Sequence, residues 1–239
     1  MFPISNPWMT SLHNISSQTR NTIEDYLSTM YRLEEIYGIV RTSHLASELE
    51  VTYSTASKML KKLHELGYVE WTRYGGAKLT DRGREIALGV LYKHRVSECF
   101  LYRVLGLDLY STHVVAHSLE HVPSEVIRRI DSYLHYPVSC PHGNPVPGRG
   151  EEKRCGSNLA EISTVSVGKV FTVVRILGEL TRALHELTRL GLVTGCVFSI
   201  RGVGRRFLEL EIKSNGTCRL VKLPVEHARL LIVSEVRSP

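Results

Sequence analysis

Residues 113 to 121, HVVAHSLEH, set His113, His117 and His121 four apart, with Glu120 beside the last. Residues three and four apart share one face of a helix, so this spacing predicts a column of imidazoles edged by a carboxylate. Imidazole nitrogen is a borderline ligand and carboxylate oxygen a hard one. Together they suit Mn(II), Fe(II), Co(II), Ni(II) or Zn(II). A second pair at helical spacing, His94 and Glu98, precedes the column, and Glu24 and Asp25 supply carboxylates nearer the start. A lone histidine is most often an ordinary hydrogen-bonded residue. Six or seven such residues on neighbouring helices point instead to a metal.

Catalysis has little support. A zincin carries glutamate directly after its first histidine, as general base, whereas the order here is His-Ser-Leu-Glu-His. No nucleophile elbow or phosphate-binding loop is present. RGVGRR contains glycines, but it lies between strand-like runs and opens no helix. The chain reads as a binding protein, not an enzyme.

The elements that must position these residues are mainly helical. Ile23, Tyr26, Leu27, Met30 and Leu33 recur every three or four residues from Thr22, with Thr22 or Asn21 as cap and Gly38 as stop. Two short helices follow, at about 42–49 and 54–66. YVEWTRYGGAKLT then reads as a hairpin around Gly75 and Gly76. A long helix spans about 81–105, and two more cover about 110–119 and 124–134. Residues 136–158 hold too many prolines and glycines for a helix and read as a linker. Beyond them, five short β-rich runs and one helical insert predict a small barrel. The fold class is mainly α with a small all-β domain.

The two short helices and the hairpin form a winged helix-turn-helix pattern. Its second helix would enter the major groove of DNA. Thr52, Ser54, Thr55, Ser57 and Lys58 offer polar contacts near its N-terminus. Lys58, Lys61, Lys62, Arg73 and Lys78 would neutralise phosphates. The net charge of +6 and pI of about 9.1 agree with an anionic partner, nucleic acid ahead of a membrane surface. The competing reading is a solvated basic face. Five cysteines without a C-x-x-C pair argue against a disulfide framework or a thiolate zinc site. The segment MFPISNPWMTSLHN has neither a basic nor an apolar region of a signal peptide, and no run approaches the roughly 18 apolar residues of a membrane span. A cytoplasmic protein without membrane association is expected.

Taken together, EDYLSTMYRLEE, ASELEVTYSTASKMLKKLHELGYV, LTDRGREIA, KHRVSECFLYRVLGLD, HVVAHSLEHVPSEVIRRID and CPHGNPVPG resemble the diphtheria toxin repressor family of metal-dependent transcriptional regulators. The family includes iron-dependent repressors and manganese transport regulators. The resemblance covers about residues 22 to 148, and the tail looks like the SH3-like domain of the longer members. With residues 1–21, which lack periodicity, read as a flexible leader and 140–158 as the linker, it implies a winged helix-turn-helix domain (22–84), a helical metal-binding and dimerisation domain (85–139) and an SH3-like β-barrel (159–239). It also implies a homodimer that binds palindromic operator DNA when loaded with Mn(II) or Fe(II). Co(II), Ni(II) and Zn(II) would be in vitro substitutes.

Carried over residue by residue, the primary metal site would be Asp25, His117, Glu120 and His121. An ancillary site would use His94, Glu98 and His113. The chain departs from both branches. Asp25 and His117 stand where the iron branch has methionine and cysteine, and Ser28 and His117 stand where the manganese branch usually has glutamates. No tail ligand maps cleanly, although Glu179, His185 and Glu186 are nearby, and CPHG reads as a turn. The alternatives are a winged-helix regulator answering another signal and, further off, a metal-dependent hydrolase.

Overall fold

The computed structural model describes residues 17–72, 74–149, 156–163, 166–214 and 217–236. Its contacts divide the chain into two units, Met1–Leu91 and Tyr92–Pro239.

In the first unit, α1 (Ser17–Tyr37) buries Ile23, Leu27, Met30 and Leu33 at the expected spacing. It starts at Ser17, ahead of the expected Thr22. The Thr22 hydroxyl does not cap the helix but donates to the Gln18 carbonyl one turn back, at 2.9 Å. Residues 17–21, expected to belong to the leader, are helical, and residues 1–16 lie outside the described residues. Gly38, at φ +70, takes the left-handed turn that ends the helix. Next come α2 (Thr42–Glu48) and α3 (Tyr53–Glu65), which bury Leu45, Ala46, Ala56, Leu60 and Leu63 between them and α1. β1 (Val69–Thr72) pairs antiparallel with β2 (Gly76–Leu79) as the expected hairpin, and Val40 bridges to Ala77.

α4 (Asp81–Arg103) continues into the second unit, which adds α5 (Leu109–Leu119) and α6 (Ser124–Tyr133). Asp108 caps α5 by accepting from the Tyr110 and Ser111 amides at 3.0 Å. Val96, Ile127 and Val146 form a small core here. Val146 belongs to the stretch read as a linker, and that reading is corrected for residues 136–149. Cys140, His142, Asn144 and Val146 are all buried. Proline bars a helix but not burial. The loop closes on itself where the Cys140 amide donates to the Asn144 carbonyl, and the Asn144 side chain donates to the Ile176 carbonyl at 2.8 Å. Residues 150–155 lie outside the described residues.

The β domain runs β3 (Ser157–Asn158), α7 (Leu159–Ile162), β4 (Val170–Ile176), α8 (Thr181–Leu190), β5 (Val197–Val203), β6 (Phe207–Ser214), β7 (Thr217–Pro224), α9 (Val225–Ala228) and β8 (Leu231–Glu235). The strand order is β3-β8-β4-β5-β6-β7, antiparallel throughout. β4 to β8 are the five expected strands, α8 is the expected insert, and β3 is an addition. Every strand from β4 to β8 contributes to one core, which includes Phe171, Phe198, Leu210, Leu223 and Leu231. Among the described residues, no helix is long and apolar enough to cross a membrane.

Candidate metal centre

One turn of α4 carries His94 and Glu98, and α5 brings His113 and His117 against them. His94, Glu98 and His113 are wholly buried and Glu120 is 2% exposed. His94 faces a carboxylate with each nitrogen, Nδ1 2.7 Å from Glu120 Oε1 and Nε2 2.9 Å from Glu98 Oε1. A neutral imidazole has one N–H, so both contacts are hydrogen bonds only if the ring is a cation. His117 Nδ1 is 2.9 Å from the same Glu120 oxygen, and His117 Nε2 is 3.2 Å from His113 Nε2. The expected column therefore forms through His113 and His117. The helix ends at Leu119, however, so Glu120 and His121 occupy the turn after it. They offer ligand atoms within 4.8 Å of each other. Asp25 is half-buried on α1 in the first unit.

The structure adds three residues that the sequence reading did not assign. His142 Nδ1 stands 3.2 Å from Glu98 Oε1, Cys140 donates its thiol proton to Glu179 Oε1 at 3.1 Å, and all are buried. CPHG is the expected turn, and it delivers a thiol and an imidazole to the centre. Glu179, in the β4–α8 connection, holds a left-handed backbone at φ +46, a strained conformation for a residue with a Cβ. Asn144 donates to its Oε1 at 2.6 Å. The other two tail residues noted are engaged elsewhere: His185 packs on Tyr110, and Glu186 pairs with His227 and Arg189.

Two four-residue donor sets result, His94–Glu98–His113–Glu179 and Glu98–Cys140–His142–Glu179, each with its ligand atoms within 4.8 Å of one another. Glu98 and Glu179 belong to both. Glu98 Oε1 meets three imidazole nitrogens, from His94, His113 and His142, while its Oε2 is buried with no hydrogen-bond partner. Burial pushes the Glu98 carboxyl toward its neutral acid, but the facing His142 and His94 outweigh this and hold it well below the usual range. Burial likewise lowers His142, and the charge of Glu98 more than offsets it, so its pKa is raised. Burial and then the Glu98 and Glu179 carboxylates raise the Cys140 thiol well above normal.

The residues fit a divalent cation. An unsatisfied buried oxygen is expensive, and lone pairs that converge without enough protons between them repel. His142 is prepared as a ligand, because its Nε2–H donates to the Leu109 carbonyl at 3.1 Å and leaves Nδ1 for coordination.

Gly143 holds the CPHG turn. It sits at φ +82, and a Cβ there would meet the Val174 carbonyl oxygen at 2.2 Å. Gly143→Ala is expected to push the loop off β4 and weaken binding to the second donor set about tenfold, a loss comparable to the 1–3 kcal/mol of such strain. Calorimetric titration with Zn(II) checks this, and wild-type affinity would show that the loop tolerates the shift.

In the first unit, Ser54, Thr55, Lys58, Lys61 and Lys62 of α3 are exposed, as is Lys78 of β2, and Ser57 is half-buried. Thr52 is the helix cap: its hydroxyl accepts from the Thr55 amide at 3.1 Å and bonds the Thr55 hydroxyl at 2.8 Å. Lys61 lies 3.8 Å from Glu65. Arg73 lies outside the described residues. Tyr53 and Tyr74, exposed beside this face and absent from the sequence reading, are 59% and 93% exposed.

Residues 18–77 match the iron dependent repressor N-terminal DNA binding domain, and residues 80–148 match the iron dependent repressor metal binding and dimerisation domain. The chain belongs to the iron-dependent repressor family. The iron-dependent repressor of Mycobacterium tuberculosis is 34% identical over 167 residues, 66% of this chain and 73% of that protein. The diphtheria toxin repressor of Corynebacterium glutamicum is 36% identical over 132 residues, 55% of this chain and 58% of its own length. A manganese-dependent transcriptional repressor solved with manganese superposes with a TM-score of 0.73 at 29% identity, covering 90% of this chain and all of the other. The iron-dependent repressor IdeR of T. acidophilum gives 0.73 at 25% identity, covering 89% and 97%. Similarity to these repressors thus extends through the β domain, beyond the two matched family domains. As a member of this family the chain is a metal-dependent transcriptional repressor, with iron or manganese as the family's metals.

Proposed function

We propose that this repressor binds palindromic operator DNA as a homodimer when loaded with Mn(II) or Fe(II), and so controls metal-homeostasis genes. The observation that carries the reading is the buried convergence of imidazoles and carboxylates on α4 and α5, in a chain whose first unit is a winged helix. Asp25, His117, Glu120 and His121 form the primary site, and His94, Glu98 and His113, joined by Glu179, form the ancillary one. Cys140 and His142 enlarge the ancillary donor set. A bound cation supplies positive charge and a fixed coordination geometry. Asp25 comes from the DNA-binding domain and the other primary ligands from the helical domain. Coordination by all four therefore favours the arrangement that puts two α3 helices one DNA turn apart, about 34 Å.

Val114, Val115 and Val126, each at least 40% exposed, offer the apolar dimer surface, whereas Ile127 is core. Among the residues proposed for DNA, Ser54 and Ser57 approach bases and the lysines neutralise phosphates. Lys58→Ala is expected to weaken binding and lower the slope of log K against log salt by about two, one contact in each protomer of the dimer. An unchanged slope would remove α3 as the reader.

The reading is tested by stripping the protein of metal and titrating DNA binding separately with Mn(II), Fe(II), Co(II) and Zn(II). Mn(II) or Fe(II) is expected to raise affinity at least fivefold. Binding indifferent to chelators would mean that a different signal controls the repressor.

A further inference from the structure

The excess positive charge of the chain does not lie where a winged-helix protein would be expected to carry it. Residues 1–148 hold 15 Lys and Arg against 15 Asp and Glu, whereas residues 149–239 hold 15 against 9. The whole net charge of +6 is therefore contributed by the segment containing the β domain.

Part of that charge is concentrated at the β5–β6 turn, in RGVGRRF. β5 is bulged between Ile200 and Gly202, and the Gly204 amide donates to the Phe207 carbonyl at 2.9 Å to close the turn. A recess of about 430 Å³ opens there, lined by Gly202, Gly204, Arg205, Arg206 and Lys222 among others. Arg201 is matched by Glu211 at 2.7 Å and Lys222 by Glu209 at 3.8 Å. Among the described residues, no acid lies within ion-pair reach of Arg205 or Arg206, and both are exposed. Glu209, the partner of Lys222, also lines the recess, and a Cβ at Gly202 would lie 3.2 Å from its carboxylate. Two adjacent guanidinium groups with a lysine beside them suit phosphate oxygens, which arginine binds through paired N–H donors.

We infer that the β5–β6 turn of the β domain binds the phosphate backbone of DNA, as a contact additional to the winged helix. This rests on the DNA-binding reading above. Phosphate attraction independent of sequence scales with cations delivered to the duplex, and a charge-balanced winged-helix unit delivers few in excess. A basic patch tethered in the same chain raises its own effective concentration at DNA already held. An anionic membrane would offer similar phosphate chemistry, but only DNA has a second binding element in this chain.

The test uses the full-length, Mn(II)-loaded protein and a mixed-sequence DNA duplex, with affinity measured across salt concentrations. R205E/R206E is expected to make the log–log salt slope shallower by about four, two contacts in each protomer of the dimer, with an unchanged thermal transition. R205A/R206A serves if the charge reversal fails to fold. Lys58→Ala in the same assay shows that single contacts are resolved. Wild-type slope in the arginine variants would overturn the inference and leave the DNA-binding reading intact. No DNA binding by the wild type would overturn both. Loss of binding to phosphatidylglycerol vesicles with the DNA slope intact would assign the turn to membranes and overturn the inference.

Discussion

Glu120→Ala is expected to abolish the metal-dependent rise in DNA affinity. Glu120 Oε1 lies 2.7 Å from His94 Nδ1 and 2.9 Å from His117 Nδ1, at 2% exposure. It is thus the link between the imidazoles of α4 and α5 as well as a proposed primary ligand. Without its charge, a cation held by His117 and His121 loses its hard anionic donor from the helical domain. Metal acts on DNA binding only through its differential affinity for the competent arrangement, and a coupling of about 1–3 kcal/mol corresponds to a 5- to 150-fold change. The variant should flatten that to no change. Fluorescence anisotropy of a labelled operator-length duplex, with and without Mn(II), reads it directly. Glu120→Gln preserves volume and separates lost charge from lost packing. A metal response of wild-type size in both variants would exclude Glu120 from the switch.

The second large effect is expected at Glu98. Glu98→Gln removes a buried negative charge that faces three imidazoles, and leaves those rings without their shared acceptor. Breaking a buried ion pair by deleting one partner typically costs about 3–5 kcal/mol. For a chain of this size that is a fall in Tm on the order of 10 °C. Glu98 also belongs to both donor sets behind α4 and α5, so the variant should bind one metal equivalent fewer. Differential scanning calorimetry of the metal-free protein measures the first effect, and isothermal titration with Zn(II) the second. Unaltered stoichiometry would remove Glu98 from the ligands, and unaltered stability would show that its charge is compensated by other groups.

Cys140, His142 and Glu179 reveal the limit of reading ligands from spacing. Cys140 and His142 stand two apart in CPHG, yet a proline-rich segment gives no periodicity from which to infer burial. Glu179 was one of three nearby tail residues with nothing to distinguish it. His185 and Glu186, its neighbours in sequence, turn toward Tyr110 and His227 instead. The Asn144 amide joins the loop to Glu179 and the Ile176 carbonyl, an arrangement that exists only once the β domain has folded.

The helix boundaries show the same division. Apolar spacing located α3, and Ser54, Lys58, Lys61 and Lys62 on its opposite face are exposed as expected, with Ser57 half-buried. The extension of α1 to Ser17 was less legible, because its first turn carries Gln18, Thr19 and Arg20 and no apolar stripe. Glu120 and His121 follow the last helical residue for a related reason. A helical repeat predicts a shared face only while the helix lasts, and this one ends at Leu119.

By itself, then, the order of residues determined the winged helix, the helical placement of His94 with Glu98 and of His113 with His117, and a β-rich tail. These depend on interactions within a few residues, which periodicity records. Tertiary structure alone decided that a loop thiol, a loop imidazole and a strained glutamate converge on α4. Their approach is fixed by packing between segments far apart in sequence, where burial makes each charge depend on its neighbours.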